Sequence, residues 1–268
     1  MDTLKIRLQL QQTPYKHGLS ARQLLSELLK NEGFLALWKG NVPAEIMYIL
    51  YGACQFASYS YFSTMLSELD EKYKLDIGSA SHSLLVGTAA GSTSTVVTYP
   101  FDLLRTRLAA NSTKEFISMT KSIGSVYQKE GIPGFFAGLK PAVLSVASTT
   151  GLLFWSYELA RDLSADYKHI PFIEGFCGFA AGAIAKGLTF PLDTLRKRIQ
   201  MYSVHNKSKA VNSLSLFRHI VAREGFIGLY KGFGISVLKT APTTAVTMFF
   251  YEFTLTSLRR NKDQKLSQ

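Results

Sequence analysis

Residues 100–107 read Pro-Phe-Asp-Leu-Leu-Arg-Thr-Arg, a charged box in which a proline stands two residues before an acid, and bases follow that acid after three and five residues. Residues 191–198 repeat the box as Pro-Leu-Asp-Thr-Leu-Arg-Lys-Arg, and residues 2–7 repeat its charged part as Asp-Thr-Leu-Lys-Ile-Arg. Each box is followed by Glu-Gly, at 32–33, 130–131 and 224–225, then by an aromatic residue and, two residues later, a second glycine. Because these landmarks recur together at intervals of 98 and 94 residues, the chain is an internal triplication.

Each repeat is predicted to contain two long helices joined by a short amphipathic segment, and the three repeats are expected at residues 1–70, 77–167 and 171–260. An apolar helix rich in glycine and serine ends near the charged box, and a second apolar helix follows the Glu-Gly turn. The uncharged runs 46–67 and 77–101 exceed the roughly 20 residues that span a bilayer core. Small residues four apart, as at Gly87 and Gly91, let helices pack closely in lipid. The pattern predicts an all-α membrane protein arranged as a pseudo-threefold bundle.

The basic excess indicates a membrane protein rather than a nucleic-acid-binding protein. The chain has 30 lysines and arginines against 19 aspartates and glutamates, a net charge of +11, yet only 18% of its residues are charged and 47% are hydrophobic. Soluble domains have about a quarter of their residues charged. Nucleic-acid-binding proteins cluster their bases along one face or tail, whereas the bases here flank the uncharged runs. We therefore expect membrane lipids as partners and no nucleic acid.

The sequence lacks the patterns of an enzyme, a metal site or a disulfide-bonded scaffold. Cys54 and Cys177 lie far apart in apolar surroundings, which predicts no disulfide. His82 and His169 have no cysteine or carboxylate at metal-ligand spacing. There is no phosphate-cradling glycine loop, nucleophile elbow or dinucleotide fingerprint, and residues 1–12 do not read as a secretory signal. We expect a protein that is not an enzyme and needs no cofactor or metal.

These motifs resemble those of the mitochondrial carrier family, whose signature is proline-x-acid-x-x-base-x-base, then acid-glycine, an aromatic residue, a base and glycine. The resemblance covers nearly the whole chain. Residues 42–44 with 51–56, and residues 100–111 with 184–186, are similar to those of family members that carry thiamine pyrophosphate. The Arg-Arg-Arg-Met-Met-Met box of the adenine nucleotide carriers is absent, since residues 196–201 read Arg-Lys-Arg-Ile-Gln-Met. The resemblance implies two transmembrane helices and a short matrix helix in each repeat, in a multi-pass protein of the inner mitochondrial membrane.

The chain departs from the family pattern in three ways. It begins one residue before Asp2, so the first transmembrane helix is expected to be largely missing; we interpret this as truncation or a late start, and a five-helix variant is the alternative. Ala137 stands where the other repeats have a base after the aromatic residue. The cytoplasmic aromatic-acid-x-x-base box survives as Glu158 with Arg161, while its counterpart at Glu252 lacks the base. The resemblance makes these three residues the cytoplasmic gate, which we predict to be weak.

The acid and first base of each box lie on one helix face because they are three residues apart. The simple interpretation is a local pair worth a few tenths of a kcal/mol. Under threefold symmetry, each acid can instead meet the base of the next repeat and close a ring, which the resemblance places at the matrix end. A buried ion pair nearly balances its own desolvation, so such a ring can open as a gate. The predicted pairs are Asp2 with Arg105, Asp102 with Arg196 and Asp193 with Lys5, braced by Gln9 and Gln200.

Substrate contacts are expected at mid-membrane on the second helix of each repeat. Counting seven residues beyond the second glycine of each repeat gives Met47, Ser145 and Lys239, which resemble the substrate contact points of the family. Lys186 is a further lysine in apolar surroundings, and an intramembrane base is costly unless it faces a cavity or a partner. Two ammonium groups at one depth suit a pyrophosphate, and snorkelling to an interface is the alternative role.

Two polar residues on the helix of Met47 are further candidates for contact with the substrate. Glu45 could pair with Lys239 or accept a hydrogen bond from an aminopyrimidine, and the alternative is an acid favoured by the helix dipole. Gln55 lies two turns beyond Met47 on the same face and could contact a ring edge of the substrate. Both are therefore included among the predicted substrate-binding residues.

The resemblance implies exchange of thiamine pyrophosphate across the inner mitochondrial membrane by alternating access, with a nucleotide as counter-substrate. One chain suffices for the barrel, so a monomer is expected. Another phosphorylated cofactor or nucleotide, such as an adenine nucleotide or coenzyme A, is the alternative cargo, and a transport-inactive truncated carrier is a further alternative. A soluble helical-repeat scaffold is disfavoured because its repeats run from about 33 to 47 residues.

Overall fold

The computed structural model describes residues 2–10, 20–74, 76–112, 117–163, 173–205 and 213–238, and every regular element within them is a helix. Two 3-10 helices cover Phe34–Trp38 and Phe226–Tyr230, and residues 233–238 are helical. The α-helices are α1 (Asp2–Leu10), α2 (Ala21–Glu32), α3 (Asn41–Tyr73), α4 (Ser79–Ala110), α5 (Met119–Gly134), α6 (Leu139–Leu163), α7 (Ile173–His205) and α8 (Ser213–Glu224).

The helices follow the triplication seen in the sequence. A helix with a charged box (α1, α4 or α7) is followed by a short helix (α2, α5 or α8), a tight turn and the start of another helix. The short helices pack an apolar face on the box helices: Leu103 and Leu104 of α4 contact Val126 of α5, and Leu195 and Ile199 of α7 lie in one cluster with buried residues of α8. The core at this end of the molecule is therefore built from similar contacts in successive repeats.

The helices that carry the boxes continue beyond them, which extends one sequence-based expectation. We expected the apolar helix to end near the charged box, and α4 runs on to Ala110 and α7 to His205, with Pro100 and Pro191 inside. Proline removes one main-chain donor without ending these helices. The residues after it are held by burial, because Leu103, Leu104 and Leu108 are each at least 92% buried in the structure. Packing of the box itself thus sustains the helix past the proline.

The second glycine of each repeat lies against the box helix of the following repeat. Gly40, Gly138 and Gly232 all have positive φ, near 80° to 86°, which L side chains rarely adopt. A Cβ at Gly40 would lie 2.7 Å from a main-chain oxygen, so no larger residue fits. The contacts run from Gly40 to the carbonyl of Arg105, from Gly138 to that of Arg196, and from Gly232 to that of Lys5. The third repeat therefore contacts the first, and the helices close into a ring.

Helix packing agrees with this closed arrangement. α3 packs against α4, α4 against α6, and α6 against α7, while α1 touches both α4 and α7. By length and composition, no single helix among the described residues qualifies as a membrane span. The segments Met119–Gly134 and Leu139–Leu153, which meet at a bend of 69°, qualify only when taken together.

Candidate functional site

A polar cavity of about 250 Å³ opens where the three boxes meet. Its wall combines carboxylates and bases from α1, α4 and α7 with one aromatic residue from α3. The lining residues are Asp2, Lys5, Ile6, Gln9, Tyr48, Asp102, Arg105, Lys186, Asp193, Arg196 and Lys197. Seven of the eight predicted matrix-gate residues, all but Gln200, and one predicted substrate residue, Lys186, thus line one cavity.

Two of the three inter-repeat pairs join the acids to the expected bases. Asp2 of α1 forms a salt bridge with Arg105 of α4, whose guanidinium also donates to the Tyr48 hydroxyl over 3.0 Å. Asp102 of α4 forms a salt bridge with Arg196 of α7 at 2.7 Å. Aromatic rings support both bases, since the guanidinium carbon of Arg105 lies 5.2 Å from the Tyr48 ring and that of Arg196 lies 5.1 Å from the Tyr99 ring.

The third acid, Asp193, is held by residues that the sequence assigned to the substrate. Lys186, two turns earlier on the same helix, forms a salt bridge with one carboxylate oxygen, and the Ser145 hydroxyl of α6 donates to the other over 2.8 Å. Lys5, the predicted partner, attracts Asp193 electrostatically, and its ammonium lies 5.6 Å from the centre of the Phe190 ring. A gate carboxylate and two candidate substrate contacts therefore share one cluster.

The two glutamines predicted as braces behave differently. Gln200 donates its amide to Asp102 over 2.7 Å and so supports the pair of Asp102 with Arg196. Gln9 instead donates to the Thr194 hydroxyl oxygen at 3.5 Å, and its own amide oxygen is buried without a partner among the described residues. Thr194 accepts this bond because its hydroxyl hydrogen is directed to the carbonyl of Leu229, 2.7 Å away.

Lys197 is a cation of the network that the sequence analysis did not assign. Its ammonium lies 2.9 and 3.0 Å from the two oxygens of Asp102, 2.8 Å from the Thr106 hydroxyl and 3.4 Å from the amide oxygen of Gln200. Asp102 therefore faces two cations from α7. The signal was present in the third box, which has a base between its two motif bases where the others have isoleucine and threonine.

The last base of each box and the glutamate of each Glu-Gly turn form a second set of ion pairs, the outer ring. The pairs between the box acids and the first bases are the inner ring. Arg107 holds Glu130 through two hydrogen bonds of 2.6 and 2.9 Å, and Arg198 holds Glu224 through two of 2.6 and 2.8 Å. Arg7 holds Glu32 in the same way. Such forked pairs are strong and directional. The sequence showed the recurrence of both residues, yet it did not show that they meet.

Each arginine of the outer ring also reaches the next repeat through its Nε–H. Those of Arg7, Arg107 and Arg198 donate to main-chain oxygens near the ends of α4, α7 and α1. These acceptors belong to Ala109 at 2.9 Å, Gln200 at 3.2 Å and Gln9 at 3.0 Å, in that order. The carbonyls of Ala109 and Gln9 lie in the last turns of α4 and α1, where carbonyls lack an intrahelical donor, whereas that of Gln200 lies inside α7. One side chain thus joins a short helix of its own repeat to the box helix of the following one.

The outer ring is uneven because the base after the aromatic residue is present in two repeats and absent in one. Lys39 adds a second cation to Glu32, and Lys231 lies 2.8 Å from Glu224. Ala137 occupies the same position in the middle repeat and offers no charge. Burial raises the pKa of the Glu32 and Glu224 carboxyls, but their bonds to arginine and lysine outweigh it and hold each pKa below its ordinary value.

Three of the remaining predicted substrate residues lie within the described residues, and none of these three lines the cavity. Glu45 and Gln55 occupy exposed positions on α3, and Met47 is half-buried beside Tyr48, which lines the cavity instead. Lys239 falls outside the described residues.

The predicted cytoplasmic gate lies beyond the described side chains. Glu158 and Arg161 fall in the stretch of α6 whose side chains are not described, and Glu252 lies outside the described residues altogether. Among the side chains that are described, no three of the His, Cys, Asp or Glu type are grouped as a metal site would require.

Comparison with known proteins matches the same repeats. A family model described as mitochondrial carrier protein matches residues 1–70, 78–168 and 168–262. The mitochondrial thiamine pyrophosphate carrier 1 of Lodderomyces elongisporus is 56% identical over 99% of this chain and 87% of its own length. Its counterpart from Candida albicans is 57% identical over 97% of this chain and 86% of its own length. The protein of that name from Saccharomyces cerevisiae is 36% identical over 97% of this chain and 88% of its own length.

Proposed function

This chain belongs to the mitochondrial carrier family and is a multi-pass protein of the inner mitochondrial membrane, and from that premise we propose that it transports thiamine pyrophosphate by exposing its central cavity alternately to the two sides. The observation that carries this cargo is the identity, above half over nearly the whole chain, to relatives named thiamine pyrophosphate carriers. Transport requires no covalent change in the cargo, so the proposed function includes no catalysis.

The charge of the cavity supports an anionic, phosphorylated cargo. Five bases line the wall against three carboxylates, an excess of two positive charges. A phosphate monoester carries about 1.5 to 2 negative charges near pH 7, and a diphosphate carries more. The excess therefore favours a diphosphate over a neutral or cationic solute.

The contacts of Asp193 suggest how cargo and gate are coupled. Lys186 and Ser145 occupy this carboxylate while the ring is closed. A diphosphate that takes the ammonium and the hydroxyl removes two partners from Asp193, and the loss of the Ser145 hydroxyl breaks a contact between α6 and α7. A ligand shifts a conformational equilibrium only by binding one state better than the other, and this exchange of partners supplies such a difference.

The proposal extends to residues further along the same helices. We assign Met47, Glu45, Gln55 and Lys239 to the part of the substrate path beyond the cavity. We assign Glu158, Arg161 and Glu252 to the cytoplasmic gate. A nucleotide is the proposed counter-substrate. Moving one net charge across the membrane involves about 2.3 kcal/mol per 100 mV of potential. Exchange of two anions of similar charge moves little net charge and so avoids most of this work. One chain surrounded by membrane lipids, with repeats at 1–70, 77–167 and 171–260, is the proposed working unit.

The test is uptake of labelled thiamine pyrophosphate by liposomes that contain the full-length protein and are preloaded with unlabelled thiamine pyrophosphate. Saturable uptake that needs internal substrate, with none for uncharged analogues of thiamine, is the expected result. Exchange of adenine nucleotides or coenzyme A without exchange of thiamine pyrophosphate would overturn the proposed cargo and leave the carrier fold unaffected.

A further inference from the structure

The fourth residue after each box acid differs in chemistry among the three repeats. It is isoleucine in the first repeat (Ile6), threonine in the second (Thr106) and lysine in the third (Lys197). A ring that needs only acid and base pairs has no use for this extra cation. Lys197 is nonetheless buried, with 15% of its side chain exposed, and it lines the central cavity beside Arg196.

Asp102 is therefore shared by two neighbouring cations of α7. Arg196 lies 2.7 Å from one of its oxygens, and the Lys197 ammonium lies 2.9 Å from the other. In the first repeat, Asp2 forms a salt bridge with Arg105. The Nε of Arg196 is buried with no hydrogen-bond acceptor among the described residues. A buried donor without an acceptor is unfavourable, so this side chain keeps unused capacity for an anion.

Opening of the ring separates α4 from α7 and removes Asp102 from both cations together. Arg196 and Lys197 are consecutive on one helix, so they remain neighbours with two positive charges and no carboxylate. Two adjacent cations without a compensating carboxylate repel each other, which is strongly unfavourable. An anion with at least two negative charges can restore the balance, and a phosphate group offers several acceptor oxygens to both.

We propose that Arg196 and Lys197 form a diphosphate-binding pair that Asp102 covers in the closed ring, and that Lys197 sets the preference of the carrier for diphosphates over monophosphates. This inference rests on the proposed function, because it concerns the diphosphate end of the proposed cargo. Lys197 acts here as a specificity-determining residue. The diphosphate binds the opened ring better than the closed one, since Asp102 occupies the pair when the ring is closed.

The test compares exchange of thiamine pyrophosphate with exchange of thiamine monophosphate in liposomes that contain the full-length protein. Lys197→Met keeps the length of the side chain and removes its charge, and we expect the ratio of the two rates to fall about tenfold, the effect of one charge-assisted hydrogen bond. Lys197→Arg restores the charge and is expected to keep the ratio near that of the wild type. Lys121→Met, which removes an exposed base on α5, is the matched control.

A structural role for Lys197 predicts a different result. If Lys197→Met leaves the ratio of the two exchange rates unchanged, even when both rates fall, the proposal is overturned. Inhibition by inorganic pyrophosphate and by orthophosphate, measured with whichever substrate the wild type exchanges, gives the same comparison without thiamine. A wild-type protein that does not exchange thiamine pyrophosphate overturns the proposed cargo, whereas loss of the pyrophosphate preference in Lys197→Met would still support the anion pair.

Discussion

Arg198 in α7 donates its Nε–H to the main-chain carbonyl of Gln9 in α1 over 3.0 Å, and so joins the end of the third box to the first repeat. The same guanidinium holds Glu224 through two bonds, which fixes α8 beneath α7. Because both other repeats make the equivalent contacts, three arginines hold three short helices and three box helices in one closed set. The structure therefore places the inner ion pairs, Asp2 with Arg105 and Asp102 with Arg196, beside an outer ring of three forked arginine–glutamate pairs.

Loss of one arginine from the outer ring should destabilise the protein. Arg198→Gln leaves the buried Glu224 carboxylate with Lys231 alone and removes the bond to Gln9, so we expect the free energy of unfolding to fall by about 3 kcal/mol. Thermal unfolding in detergent measures the change. Arg218→Gln, at an exposed position of α8, is the control and should change little. Equal unfolding temperatures for the two variants would contradict the role of the outer ring.

The outer ring should make stability depend on pH below neutrality. Bonds to Arg198 and Lys231 hold the pKa of Glu224 below its ordinary value of 4.5, despite its burial. The unfolded chain then takes up the proton first as pH falls, so stability present above about 4.5 is lost as pH drops through the folded pKa.

Glu224→Gln should remove part of this dependence. The variant should be less stable than the wild type at pH 7, and the two unfolding temperatures should approach each other as pH is lowered to 3. Glu27→Gln, an exposed acid on α2, should keep the wild-type pH profile. Parallel profiles for the wild type and Glu224→Gln would show that this carboxylate is not the titrating group.

A lysine introduced at Ala137 should strengthen the middle repeat. Lys39 and Lys231 add a cation to their glutamates from the same position of the other repeats, so Ala137→Lys places an ammonium near Glu130. We expect a gain of about 0.5 to 1 kcal/mol in the free energy of unfolding. Ala137→Met has similar length without the charge and should give no such gain. The change is measured by thermal unfolding at low and high salt, and it should shrink at high salt.

The inner ring should respond to exchange of charges between repeats. Asp2→Arg places two arginines together and is expected to reduce thiamine pyrophosphate exchange at least tenfold. Adding Arg105→Asp restores an oppositely charged pair and should recover part of the rate. The double variant Asp102→Arg with Arg196→Asp should recover less, because Lys197 then lies beside a positive charge at position 102. Equal failure of both double variants would contradict the inter-repeat pairing.

Removal of the Lys186 ammonium should weaken anion binding more than folding. Its side chain is 36% exposed, and Asp193 keeps the Ser145 hydroxyl when Lys186 is replaced by methionine. We expect the affinity for inorganic pyrophosphate to fall about tenfold, by loss of one charge-assisted hydrogen bond. Isothermal titration measures this affinity, and thermal unfolding measures the structural cost. An unchanged affinity would assign Lys186 to a purely structural role.

The sequence predicted two of the three pairs of the inner ring, because repeats carry geometry. Once three copies of an acid and a base at fixed spacing were recognised, threefold symmetry alone predicted that Asp2 faces Arg105 and Asp102 faces Arg196. The same reasoning did not predict Lys186 on Asp193, since that contact depends on side-chain reach along one helix. It also did not predict how far the box helices run past their prolines, because a local pattern cannot show how firmly the following leucines are buried.

The order of the charged landmarks was sufficient to establish the triplication, the all-helical class and the residues that meet at one end of the bundle, because periodic spacing determines which faces of repeated helices turn inward. Only the tertiary structure decided how the charges divide into two rings and why Asp102 faces two cations. Those contacts join residues up to 189 positions apart, as in Arg198 with Gln9. Many of their partners lie in different repeats and are brought together only by the packing of the helices, which no local pattern encodes.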